Sequence, residues 1–205
     1  MGDTAIHWDA AQFGPRSRET TRARITAAAR GVFLARGYAA ATIDEIAQAA
    51  GTRRSTIYNH FREKEEILEA ISDGYLAGVL EVIARLPGPR PSRRQIDQWI
   101  ADFAEFTLLE RAPTLLFVGF NSGFDAPRTA EAFGHSMMQA LGERIPAFAD
   151  ALQPGNELAF ARAATVVREL AVALAFNLRH EGRSDARCRL EVAADLFEQL
   201  CKGWF

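Results

Sequence analysis

TIDEIAQAAGTRRSTIYNHFREK, residues 42–64, is the stretch whose reading decides the fold. Thr42 and Glu45 have the spacing of a capping box, with a hydroxyl at the N-cap and a carboxylate three residues on, so a helix is expected to start there. Ile43, Ile46, Ala47 and Ala50 fall on one face at helical spacing. Gly51 follows, where a left-handed residue ends a helix without a Cβ clash. Beyond the turn, Ile57 and Phe61 stand one helical turn apart and are expected to dock on the first helix. Arg54, Ser55 and Tyr58 then take the remaining surface. Two short helices around a glycine turn, the second turning basic, hydroxyl and phenol groups outward, describe a helix-turn-helix reader.

Upstream, Ile25, Ala28, Ala29, Val32 and Phe33 stripe a supporting helix over residues 17–36, which Gly37 ends. Residues 1–15 read as a mobile arm bounded by Gly14-Pro15, and Arg16, Arg18 and Arg22 behind it are either phosphate contacts or a solvated helix start. Downstream, Ile67, Ile71, Tyr75, Val79, Val82, Ile83 and Leu86 mark one long helix over residues 64–86. Gly74 and Gly78 lower its propensity and are expected to allow bending. Pro87-Gly88-Pro89-Arg90-Pro91 breaks it. Further helices are expected over 92–110, 114–120 (Pro113 fitting the first turn), 128–145 and 157–179, and from 185 onward, with a loop at 121–127 and a separate turn after Pro146. The 157–179 helix is apolar nearly all round, so it should be buried on more than one side. With no alternating strand pattern, the fold class is all-α. A three-helix reader over residues 16–64 is followed by a helical bundle over 65–205.

The formal net charge of −2 conceals a division. Residues 1–64 carry ten basic against six acidic side chains, or +4, and the rest carry fourteen against twenty, or −6. A polyanion partner is therefore expected at the N-terminal end. Cys188 and Cys201 offer neither a disulfide framework nor a metal-ligand spacing, which suits a reducing cytoplasm. No apolar run reaches membrane-spanning length, and the first residues lack both the basic start and apolar stretch of a signal peptide and the pattern for myristoylation. His7, His60, His135 and His180 share no ligand spacing, and no glycine-rich phosphate loop is present, so neither enzymatic activity nor a cofactor or metal is expected.

The run Phe33-Leu34-Ala35-Arg36-Gly37-Tyr38, then Thr42-Ile43-Asp44-Glu45-Ile46-Ala47, Ala50-Gly51 and Thr56-Ile57-Tyr58-Asn59-His60-Phe61 with Lys64, resembles the tetracycline-repressor (TetR) family of bacterial one-component regulators. These motifs cover roughly the first third of the chain and are specific in combination. The family commonly has an apolar residue and then a capping Ser after the turn glycine, where this chain has Thr52-Arg53. Either Thr52 takes over as cap, or the second helix starts uncapped at a cost of about 1 kcal/mol.

The resemblance implies a homodimer that binds a double-stranded DNA operator and responds to a small molecule, most simply a repressor. The alternative is a helical ligand-binding or interaction protein without operator-specific DNA binding. The resemblance assigns Arg54, Ser55 and Tyr58 to the major groove, where Arg pairs with a guanine edge. Thr42, Thr56, Asn59, His60 and Lys64 are implied phosphate contacts, and Arg53 is a DNA contact or a solvated charge. In the family the last two long helices form the dimer interface, so charge at Leu174 or Phe197 is expected to give monomers or unfolded chains. An effector site is implied within the helical body. Its aromatic and Met content points to a hydrophobic or aromatic ligand among Trp99, Phe103, Phe117, Phe120, Asn121, Phe124, His135, Met138, Phe176 and Asn177, with Ser122 and Gln139 as further polar candidates.

Overall fold

The computed structural model describes residues 15–120 and 126–203, and every regular element among them is helical. The chain forms two compact units, Met1–Ile67 and Leu68–Phe205.

In the first unit, α1 (Pro15–Arg36) packs on α2 (Ile43–Ala49), and α2 packs on α3 (Arg54–Tyr58). The capping box at the start of α2 is complete. The Glu45 amide donates to the Thr42 hydroxyl at 3.2 Å, and the Thr42 amide donates to the Glu45 carboxylate at 2.9 Å. Those hydrogen bonds hold Glu45 below the usual carboxylate range, the Thr42 amide contributing most. Gly51 takes φ +59°, the left-handed value expected after α2. Ile25, Ala29 and Phe33 from α1 meet Ile46, Ala47, Ile57 and Phe61 in a closed apolar core.

α4 (Lys64–Ala84) begins in the first unit and continues through the second. The second unit adds α5 (Arg93–Leu109), α6 (Arg111–Phe120), α7 (Arg128–Gly142), α8 (Pro146–Ala151), α9 (Glu157–Arg179) and α10 (Ser184–Lys202). α9 is central to it, packing on α5, α6, α8 and α10. The Trp99 indole fixes α5 to α4 by donating to the Val82 carbonyl at 2.9 Å. The Arg144 guanidinium ties the chain after α4 to the end of α7, donating to the Leu86 carbonyl at 3.0 Å.

Some boundaries shift: α7 ends at Gly142 rather than at 145, and the turn expected after Pro146 is the short helix α8. α6 starts at Arg111 rather than at 114, with Pro113 in its first turn, where a missing N–H costs nothing because the first amides of a helix have no intrahelical acceptor. Gly78 also has a packing role. A β-carbon there would lie 2.5 Å from the Phe106 ring, so the glycine makes room for that ring between α4 and α5. No helix among the described residues is long and apolar enough to cross a membrane.

Candidate nucleic-acid interface and apolar cavity

α3 starts uncapped. Arg53 occupies the N-cap with φ −92° and ψ 152°, and no side chain satisfies the first amides. That settles the register: Ile57 faces the core, while Arg53, Arg54, Ser55, Tyr58 and Asn59 are exposed. Thr56 and His60 are half-buried. Thr42, exposed at the start of α2, has its hydroxyl engaged by Glu45.

Arg54 is not a free cation. Its Nη1 donates to the Asp44 carboxylate at 2.5 Å, and its Nη2 donates to the Tyr58 hydroxyl at 3.1 Å, with the guanidinium carbon 5.4 Å from the centre of the Tyr58 ring. The Tyr58 hydroxyl and the Asp44 charge push its pKa further up. The sequence reading missed Asp44. Arg54 lies ten residues beyond it across a turn, a spacing to which no helical periodicity draws attention.

Lys64, expected as a phosphate contact, is held within its own unit. Its ammonium donates to the carbonyls of Tyr38, Ala39 and Ala41 at 2.6, 3.1 and 2.9 Å and lies 4.6 Å from the centre of the Tyr38 ring. Three hydrogens meet three acceptors, fastening the α1–α2 connection to the start of α4. Burial lowers its pKa, because desolvation disfavours the charged form. Arg22 makes a second brace, donating to the His60 carbonyl at 2.9 Å and lying 4.1 Å from the centre of the Phe61 ring. The His60 imidazole is pushed below its ordinary value, first by burial and then by Arg18 and Arg22.

Within the second unit, α4, α5, α6, α7 and α9 enclose a cavity of about 500 Å³. Trp99, Phe103, Phe117, His135 and Met138, all candidates from sequence, lie on its wall. Phe120, Phe176 and Asn177 do not. Phe120 packs edge-on against Phe117, and Phe176 lies against His180 and beneath Arg189. Gln139 is likewise off the wall. Asn121, Ser122 and Phe124 fall outside the described residues. Sequence reasoning missed Tyr75, Thr107, Thr114, Glu131, Phe133 and Arg168 on the wall. Tyr75 and Phe133 carry the same aromatic signal as the candidates, and a threonine inside an apolar helical stripe, as at 107 and 114, is a further one.

The cavity interior is apolar, and its hydroxyls are internally satisfied. Thr107 donates to the Ala104 carbonyl at 2.8 Å. Thr114 donates to the Glu110 carbonyl at 2.8 Å, so the 3.0 Å bond between Tyr75 and Thr114 is donated by the phenol. Burial pushes the Tyr75 pKa up to about 12, keeping it neutral. Its ring stacks on Phe133 at 5.5 Å, and Phe133 on Phe117 at 4.5 Å. The charged wall residues, Glu131 and Arg168, are solvent-accessible.

Residues 25–71 match the sequence profile described as "Bacterial regulatory proteins, tetR family". The chain is 49% identical over 53 residues to the HTH-type transcriptional regulator SrpR of Pseudomonas putida, a match covering 26% of this chain and 25% of that protein. It is 34% identical over 92 residues to the HTH-type transcriptional activator FasR of Mycolicibacterium smegmatis, covering 43% of this chain and 42% of that one. The matches thus span a quarter to about two fifths of these curated relatives. Over most of its length the chain shares its fold with a crystal structure assigned to the tetR family of transcription regulators from Shewanella sp. PV-4. The TM-score is 0.66 at 16% identity, with 87% of this chain and 96% of that one covered. A tetR-family transcriptional regulator from Streptomyces coelicolor gives 0.58 at 20% identity, covering 91% and 84%.

Proposed function

We propose that this chain, which carries the tetR-family N-terminal module on a fold shared with tetR-family structures, is a cytoplasmic, homodimeric repressor. It binds a palindromic DNA operator and is released by a small hydrophobic or aromatic effector. The observation that carries this is the face of α3. Arg53, Arg54, Ser55 and Tyr58 stand together in solvent, while Ile57 anchors the same short helix in the core. Side chains of this kind on the second helix of a helix-turn-helix unit read base edges in the major groove.

The cavity supports the effector. Its volume falls in the range of small-molecule sites, and its polar groups at the wall are few. Since Tyr75, Thr107 and Thr114 have their hydrogens engaged, the interior rewards an apolar body. A single polar end would meet Glu131, His135 or Arg168. α4 gives Tyr75, Val79 and Ile83 to this wall and begins at Lys64, so an effector that moves α4 moves a helix rooted in the reading unit. Release is bounded by linkage: a hundredfold loss of operator affinity requires about 2.7 kcal/mol of preference for the non-binding state. For the dimer, Val172 on α9 and Val192 on α10 are apolar and exposed on the single chain, and Leu158 adds to them.

Selection from a library of duplexes with randomised palindromic half-sites tests the reading. Enrichment of one palindrome, and loss of its binding on titration with a panel of apolar and aromatic compounds, is the expected result. Equal binding of all duplexes would leave a helical ligand-binding or interaction protein instead. Tight selection that no compound alters would remove the effector and keep the DNA-binding dimer.

A further inference from the structure

Asp44 is an exposed carboxylate beside a basic face whose proposed partner is a polyanion. By charge alone it opposes binding. Its geometry supplies a reason for it to be there. The carboxylate holds Arg54 Nη1 at 2.5 Å while the Tyr58 hydroxyl holds Nη2 at 3.1 Å. A guanidinium has five N–H donors in one plane. Two are engaged, one on each terminal nitrogen, and three remain. Held on two sides in this way, the plane loses the rotamer freedom that a lone exposed arginine gives up on binding. Bidentate recognition of guanine depends on the orientation of that plane, because both N–H groups must meet O6 and N7 together.

We propose that Asp44 is a positioning residue that, with Tyr58, orients the Arg54 guanidinium to read one guanine in each half-site. This rests on the DNA-binding reading above. A purely structural role for Asp44 is also available, since a carboxylate in the first turn of α2 favours that helix through its dipole. That role predicts lower stability with base preference intact. Simple repulsion of phosphates predicts a third pattern, in which removing the charge strengthens binding to every sequence alike.

The experiment takes the full-length chain through the half-site selection and then measures affinity for the selected palindrome and for duplexes in which each base pair is changed in turn. In the wild type, one position should show a guanine preference that Arg54→Ala abolishes. Asp44→Asn should reduce that same preference, and no other, by on the order of tenfold. The dependence of affinity on salt should be unchanged, because Asp44 neutralises no phosphate. Adding Asp44→Asn to Arg54→Ala should have no further effect on the preference, since the first acts through the second. Asp44→Glu should restore part of the guanine preference. An Asp44→Asn profile equal to the wild type at every position, or uniformly stronger binding, would overturn the role of Asp44 while leaving DNA recognition standing. A wild type that selects no sequence would overturn the DNA-binding reading itself.

Discussion

Lys64 shows how far a side chain's partners can lie from it in sequence. Its three carbonyl acceptors sit 23 to 26 residues upstream. Lys64→Ala should therefore destabilise the reading unit by about 1–3 kcal/mol, as expected for charge-assisted hydrogen bonds, read by denaturant unfolding. The salt slope of DNA binding should hold. A slope flatter by about 0.9 would instead mark a lost phosphate contact. His60 gives a pH prediction. Its pKa is depressed below 6.5 in the folded chain, so the unfolded chain takes up the proton first as pH falls. Stability is then full above pH 6.5 and declines between 6.5 and the lower folded value. His60→Gln should flatten that decline in melts recorded across the range. At this scale the sequence is legible where partners are local. The Thr42–Glu45 box spans three residues and was readable at sight. The pairing of Asp44 with Arg54 crosses a turn, and nothing in the spacing announces it.

Among the elements, the two glycines of α4 make opposite predictions. A β-carbon at Gly74 meets nothing within 4 Å, so Gly74→Ala should stabilise the helix by roughly 0.5–1 kcal/mol. At Gly78 the same methyl would strike Phe106, whose ring is stacked on Tyr75 at 5.6 Å and set edge-on to Phe103 at 6.2 Å. Gly78→Ala should cost about 1–3 kcal/mol through overpacking. Thermal melts of the two variants, shifting in opposite directions, check this. Helix propensity sees both glycines alike, which is why the sequence assigned them one role. The breaks were legible for the converse reason: Gly37, Gly51, Pro146 and the proline run after Leu86 act through their own backbone geometry, whatever they pack against. The start of α6 was misread because a proline is compatible with any position in a helix's first turn.

For the whole molecule, the surfaces of α9 and α10 separate two kinds of apolar residue. Leu174 lines the cavity, and Phe197 is fully buried against Trp99 and Phe148, so charge at either attacks the fold of one chain rather than its association. Val172 and Val192 are 37% and 57% exposed, and they are the sites to use. Val172→Glu with Val192→Glu should yield folded monomers by sedimentation, whereas the wild type should remain a dimer at micromolar concentration through an interface on the order of 2,000 Å². A wild-type monomer would refute the dimer. The all-helical body was legible from periodicity, but the cavity was not, because a filled aromatic core and a lined cavity draw on the same residues at the same spacing. The cage around Lys64 also bears on how the chain can be redesigned. Arginine supplies all but two of the 24 positive side chains, the exceptions being Lys64 and Lys202. An ammonium spreads its hydrogens about a threefold axis, matching three converging carbonyls, whereas a flat guanidinium cannot aim at all three. A lysine-free version, useful wherever amine chemistry must be avoided, is within reach at residue 202 and obstructed at residue 64.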